Sequence, residues 1–179
     1  MATWLAMILA MTPPLLIREI AYLWRSSLRR ARYLAVTSFV IGYAAVWMIS
    51  GAALSTLLGL ITINTGHIVL AAVLAILWHA SPARQRPLNA CHRLPALRVF
   101  GPAAHWDSIR YGVQTGGNCV AACFLVMLLT FMVTRQHLAT MAIAAVVMTI
   151  ERYLPVQRPR WRFAVGARRS LDWPALDIP

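Results

Sequence analysis

Sulfur-containing side chains recur at helical spacing near both ends of the chain. Met7 and Met11 are four residues apart, as are Cys119 and Cys123, and Met127 follows one step further along. In a helix, residues four apart lie on the same face. Thiolate and thioether sulfur atoms select Cu(I) over hard cations. The candidate ligands of a soft metal, with copper as the expected one, are therefore Met7, Met11, Cys119 and Cys123.

Ordinary packing explains the same pattern, and the sequence leaves this alternative open. Methionine and free cysteine are common packing residues in apolar helices, and Cys-x-x-x-Cys is a weaker signal than the Cys-x-x-Cys of zinc knuckles. The third cysteine, Cys91, precedes His92 in a basic segment and is a weaker signal still. We find no nucleophile paired with a base and no phosphate-binding loop, so the sequence predicts a protein that is not an enzyme.

The elements that must position these residues are predicted to be membrane helices. The chain of 179 residues is 60% hydrophobic and only 12% charged, against about 25% charged in typical soluble domains. Residues 33–83 contain no Asp, Glu, Lys or Arg, which leaves room for a turn and two crossings of about 20 residues each. The sequence therefore predicts an all-α, polytopic membrane helical bundle.

Uncharged stretches predict five transmembrane helices in this bundle. Their expected bounds are 2–24, 33–61, 67–80, 111–134 and 136–154. The second is long enough to tilt, or to bend at Gly51. Residues 1–155 would form one transmembrane domain with a cytoplasmic loop at 81–110, and residues 156–179 would form a basic cytoplasmic tail.

The basic residues predict the orientation. Lysine is absent, and sixteen of the 17 arginines fall in three clusters at 18–32, 84–110 and 152–169. Because cytoplasmic loops carry an excess of arginine, this spacing predicts that all three clusters and the C terminus lie in the cytoplasm, with the N terminus outside. The same pattern disfavours a nucleic-acid partner and predicts that the arginines contact anionic lipid head groups.

The predicted cytoplasmic boundary of the membrane allows the depth of the methionines and cysteines to be compared, and the two pairs lie at matching depths. Met11 is seven residues from the first arginine cluster, and Cys119 is eight residues from the predicted start of the fourth crossing. Both would lie about 10–12 Å inside the cytoplasmic boundary, and Met7 and Cys123 match at about 16–18 Å. If the first and fourth crossings touch, four soft donors converge in the cytoplasmic half of the membrane.

Two carboxylates, Glu19 and Glu151, are predicted near the cytoplasmic boundary, each beside an arginine in the sequence. Charged groups at this depth need partners, so we expect ion pairing or exposure at the interface. A carboxylate that takes part in ion transfer is the alternative. Farther along, Gly112-x-x-x-Gly116 fits a motif for close helix packing.

Three segments carry a resemblance to a known family. They are Trp4-x-x-Met7-x-x-Ala10-Met11 with Pro13-Pro14, Arg110-Tyr111-Gly112 through Cys119-x-x-x-Cys123, and Glu151-Arg152-Tyr153-Leu154-Pro155. In this order they resemble a bacterial family of unknown function whose members are described as predicted metal-binding integral membrane proteins. The resemblance implies a compact helical domain of the bacterial inner membrane, with multiple crossings and a role in metal binding.

The chain departs from that family at several soft ligands. Met11-Thr12 stands where the family tends to have a methionine pair, and Ala122-Cys123 stands where it tends to have adjacent cysteines. The family also tends to have a second cysteine after the position of Cys91. A scaffold that has lost its metal is therefore an open alternative.

Two functions follow from these patterns. In the first, the protein handles a soft metal, expected to be copper, and delivers it to a membrane enzyme. In the second, it is a non-catalytic accessory or structural subunit of a larger membrane complex, such as an oxidase, a monooxygenase or a photosynthetic assembly. Both predict membrane lipids and other membrane protein subunits as partners.

Overall fold

The computed structural model describes residues 2–60, 64–98, 102–132, 137–156, 159 and 161. Within these ranges the chain forms helices and no strand. The helices are α1 (Ala2–Ser26), α2 (Arg32–Gly59), α3 (Thr65–Ala80), α4 (Pro82–Ala90), α5 (Pro102–Met132) and α6 (His137–Tyr153). The prediction of an all-α fold is confirmed.

Five of these helices coincide with the five predicted crossings. The bounds of α1, α2, α3 and α6 agree with the expected ones to within about two residues. The exceptions lie in the segment predicted to be a cytoplasmic loop at 81–110. There α5 begins nine residues earlier than expected, at Pro102, and the short helix α4 precedes it.

The chain changes direction by 65° between α3 and α4. Ser81 ends α3 in an extended conformation, and its side chain accepts a hydrogen bond from the backbone N–H of Arg84. Pro82 occupies the first position of α4, where its missing N–H costs nothing and its fixed φ suits a helix start. The Ser-Pro sequence thus stops one helix and starts the next.

Two helices are long and apolar enough to cross a membrane. They are α2 and residues Ala103–Thr130 of α5. The bent pair formed by α3 and α4 would be a third span if the two helices cross the membrane together. This test rests on length and composition within the described residues. Five crossings and their orientation stay predictions.

Glycines allow α2 and α5 to pack closely. A Cβ atom added at Gly42 would collide with the carbonyl oxygen of Ile109, and one at Gly112 would collide with the carbonyl oxygen of Phe39. Gly116 also packs against α2. Small residues at such a crossing let two helix backbones approach each other. The predicted Gly112-x-x-x-Gly116 motif therefore lies in this central interface.

The remaining helices surround this pair. α3 and α4 pack against α5, while α6 packs against α1 and α5. α1 packs against α2, where the indole of Trp4 occupies the space left by Gly51 and donates a 3.1 Å hydrogen bond to the carbonyl oxygen of Trp47. α2 continues through Gly51, where the missing side chain provides space for a tryptophan.

Candidate metal site

Cys119 and Cys123 lie on the face of α5 that points into the bundle, and both are buried. They line a cavity of about 10 Å³ between α1, α2, α5 and α6. The other lining residues are Ile8, Thr12, Leu15, Tyr43, Trp47, Met127 and Met148. This volume is at the lower limit for one water molecule, so the space suits a single small guest such as a metal ion.

The two thiols lie about one helical turn apart, and one of them contacts a tyrosine. Cys119 and Cys123 are four residues apart on one face of α5 and line the same cavity. The hydroxyl of Tyr43 donates to Sγ of Cys119 at 3.6 Å. Met127 of α5 and Met148 of α6 bring thioethers to the same cavity. Two thiols and two thioethers form a donor set that favours Cu(I).

A third cysteine lies beside this pair. Cys91 follows α4, is buried, and shares a second cavity of about 10 Å³ with Cys119, Cys123 and Met148. From the sequence alone, Cys91 was the weakest of the cysteine signals, in a segment predicted to be a cytoplasmic loop. Instead α4 folds back against α5. The serine and proline that begin α4 are the local signal from which this helix could have been predicted.

Burial raises the pKa of the Cys91 thiol to about 11. The free thiol is therefore protonated at neutral pH. Because a metal binds the thiolate, binding at Cys91 must displace this proton.

The predicted ligands Met7 and Met11 lie on α1, but their side chains fall outside the described residues. The helix that carries them does border the site, because Ile8, Thr12 and Leu15 line the first cavity. The first and fourth predicted crossings thus face a common space. Their methionines stay predicted ligands.

The described residues include no group of three or more His, Cys, Asp or Glu side chains that could hold a metal ion. The cysteines gathered here are therefore Cys119 and Cys123 on one face of α5, with Cys91 lining a second cavity beside them. What the arrangement offers chemically is a pair of thiols with neighbouring thioethers.

Glu19 of α1 and Arg152 of α6 form a buried ion pair close to the cysteines. Nη2 of Arg152 donates to Oε1 of Glu19 at 2.6 Å, and the two side chains are 9% and 1% exposed. The other oxygen of Glu19 has no hydrogen-bond partner among the described groups. Adjacent residues of a helix do not face each other, so each carboxylate pairs across helices and not with its neighbour in sequence.

A second buried arginine, Arg84 of α4, connects two other helices. Its Nε donates to the carbonyl oxygen of Ala122 at 3.0 Å, and Nη1 donates to Oε1 of Glu151 at 3.3 Å. Oε1 of Glu151 also lies 2.8 Å from Nε2 of His79 on α3. The prediction that arginines of the 84–110 cluster contact lipid head groups is wrong for Arg84, because Glu151 and a backbone carbonyl provide partners inside the bundle.

The comparisons with known proteins agree with a site for copper. A family model described as "PpoB2: Copper chaperone" matches residues 1–169, nearly the whole chain. No curated protein and no solved structure matches. The family description supports copper binding, a role that is not catalytic, and interaction with a partner protein.

Proposed function

Because the chain belongs to the PpoB2 family of copper chaperones, we propose that it carries Cu(I) inside its helical bundle and delivers it to a copper-dependent membrane enzyme. The observation that carries this proposal is the group of sulfur atoms around the first cavity: Cys119, Cys123, Met127 and Met148. The copper ion is cargo, held by soft donors until a partner with its own ligands takes it. Met7 and Met11 on α1 are proposed as additional ligands.

Two buried arginines lie beside these thiols. Arg84 and Arg152 line the second cavity together with Cys119 and Cys123. Both guanidinium groups are held in place by carboxylates, Glu151 and Glu19. The ion pairs thus support the site without occupying it.

We further propose that the protein lies in the bacterial inner membrane with five crossings and its N terminus outside. Large apolar side chains on the outer faces of α2 and α3 support this, among them Ile41, Ile49, Leu70, Val73 and Ile76, which are all exposed. Soluble monomers rarely expose contiguous apolar surface of this kind. Reporter fusions at the α2–α3 link and after residue 156 should give opposite orientations, and equal orientations would contradict five crossings.

Copper titration of the purified protein tests the chaperone function. The whole chain, extracted anaerobically in a mild detergent, is titrated with Cu(I) in competition with a coloured chelator. Replacing Cys119 and Cys123 together by serine should weaken binding by more than about 100-fold, because loss of outer-shell partners alone typically costs 10–100-fold. Tyr43→Phe is the matched control, since it removes a hydroxyl that contacts Cys119 but no sulfur.

Two results would contradict the proposal. One is a double serine variant that binds Cu(I) as tightly as the wild type. The other is protein that is purified from copper-replete cells in detergent without bound metal but together with stoichiometric partner subunits. That result would favour the accessory-subunit function instead. Tryptophan fluorescence of the serine variant checks that it is folded.

A further inference from the structure

Three small cavities form a row from the surface into the bundle. The first and second share Cys119, Cys123 and Met148. The second and third share Cys91 and Arg152. Leu15 of α1 lines all three. Successive cavities therefore have walls in common.

The third cavity is lined by several polar side chains. Besides Cys91 it is lined by Glu19 and His92, although these three side chains do not form a group that could hold a metal ion together. Glu19 is buried, and its Oε2 atom has no hydrogen-bond partner in the part of the chain that the structure describes. A buried carboxylate oxygen without a partner is costly, and a passing cation or proton would relieve that cost.

The third cavity also lies nearest the surface. Its lining includes Arg18, which is exposed, and His92, which is partly exposed. Arg18 contacts Nδ1 of His92 at 2.9 Å and donates to the backbone carbonyl of His92 at 3.3 Å. Farther along the segment, the hydroxyl of Tyr22 donates to the carbonyl of Pro95 at 2.6 Å. Side chains of α1 thus hold the segment that carries Cys91 against the bundle, with His92 at the outer end of the row.

We propose that Cys91 is the exchange ligand through which Cu(I) enters and leaves the Cys119–Cys123 pair. This inference rests on the proposed chaperone function and adds the route to it. A donor protein or a recipient would exchange copper with Cys91 at the His92 end, and the deeper pair would hold the ion between the two events.

Each transfer is a ligand exchange without electron transfer. The bond between copper and the Cys91 sulfur breaks as a bond to Cys119 or Cys123 forms. The incoming thiol loses its proton, and the released Cys91 thiolate takes up a proton. Copper remains Cu(I), so no oxidant or reductant is needed. Delivery to a recipient is the same exchange in reverse, ending on a ligand of the recipient.

Exchange rates test the route separately from binding. The wild type and Cys91→Ser, both as full chains in detergent, are loaded with Cu(I), and its removal by excess coloured chelator is followed by stopped flow. We expect the affinity of the variant to stay within about threefold of the wild type, since the deeper pair is intact. Uptake and release should both slow by about tenfold or more, because a relay ligand changes rates in both directions equally.

A second variant distinguishes the loss of the sulfur donor from a folding defect. Cys91→Met keeps a soft sulfur donor at the same place and should restore most of the exchange rate. Unchanged rates in Cys91→Ser would overturn the route while leaving the chaperone function intact. A loss of affinity as large as that of the double serine variant would also overturn it, because Cys91 would then be a permanent ligand. A wild type that binds no Cu(I) would overturn both proposals.

Discussion

Replacing Arg152 by methionine should lower the free energy of unfolding by about 3–5 kcal/mol, the cost of breaking a buried ion pair by removing one partner. The structure explains why the cost is in this range. Glu19 is 1% exposed and Arg152 donates to it at 2.6 Å. Its second oxygen has no other partner among the described groups, so the variant would leave a carboxylate buried without compensation.

A Coulomb estimate gives a similar magnitude. At about 4 Å between charge centres and an effective dielectric constant near 20, the attraction is about 4 kcal/mol. Removing both charges should cost much less, because apolar replacement of a whole buried pair is often neutral or stabilising. The double variant Glu19→Leu with Arg152→Met should therefore be more stable than Arg152→Met alone.

Reversible unfolding in mixed detergent micelles, followed by tryptophan fluorescence, measures these effects. The chain has seven tryptophans as reporters. Arg98→Met is the matched control, since the Arg98 side chain is 64% exposed and its pair with Asp107 lies at the surface; its stability should hardly change. A loss below about 1 kcal/mol for Arg152→Met, the range of exposed pairs, would refute the reasoning. The reasoning would also be refuted if the double variant lost as much free energy of unfolding as Glu19→Leu and Arg152→Met lose separately, added together.

Three further variants are tested in the same unfolding assay. Gly112→Ala should lose about 1–3 kcal/mol by overpacking, because the new methyl would meet the carbonyl oxygen of Phe39. Gly117→Ala should instead gain up to about 1 kcal/mol from helix propensity, since its Cβ would meet nothing within 4 Å; equal effects at both glycines would contradict the close α2–α5 approach. Arg84→Lys should lose about 1.5–3 kcal/mol, because a lysine cannot reproduce the bonds of Arg84 to both Glu151 and the Ala122 carbonyl. An unchanged stability of Arg84→Lys would show that the positive charge at position 84 matters and the hydrogen bonds of the guanidinium group do not.

The positions of the helices could be predicted because their signals are local. Charge-free stretches mark where apolar helices run, and breaks such as Ser81-Pro82 mark where one ends. The early start of α5 was missed because its first turns carry His105, Asp107 and Arg110. These polar residues suggest a loop when only hydropathy is considered, although nothing in them prevents a helix.

The partners of buried charges could not be predicted in the same way. Glu19 and Arg152 are 133 residues apart, and no periodicity connects them. The sequence did predict both carboxylates near one boundary and in need of partners. It could not choose among the arginines, because that choice depends on which helix faces meet. Arg84 is an example, because it was expected at the membrane surface but is buried and donates a hydrogen bond to Glu151.

By itself the sequence determined the all-helical class, the course of most helices and the pairing of Cys119 with Cys123 on one face of α5. These properties depend on backbone hydrogen bonds and side-chain spacing within a few residues, so they can be inferred from local order. Only the tertiary structure decided that Cys91 and Met148 join that pair, and that Glu19, Arg84, Glu151 and Arg152 lie beside them. Those contacts depend on how whole helices pack against each other, and the close approach of α2 and α5 at their glycines is part of that packing.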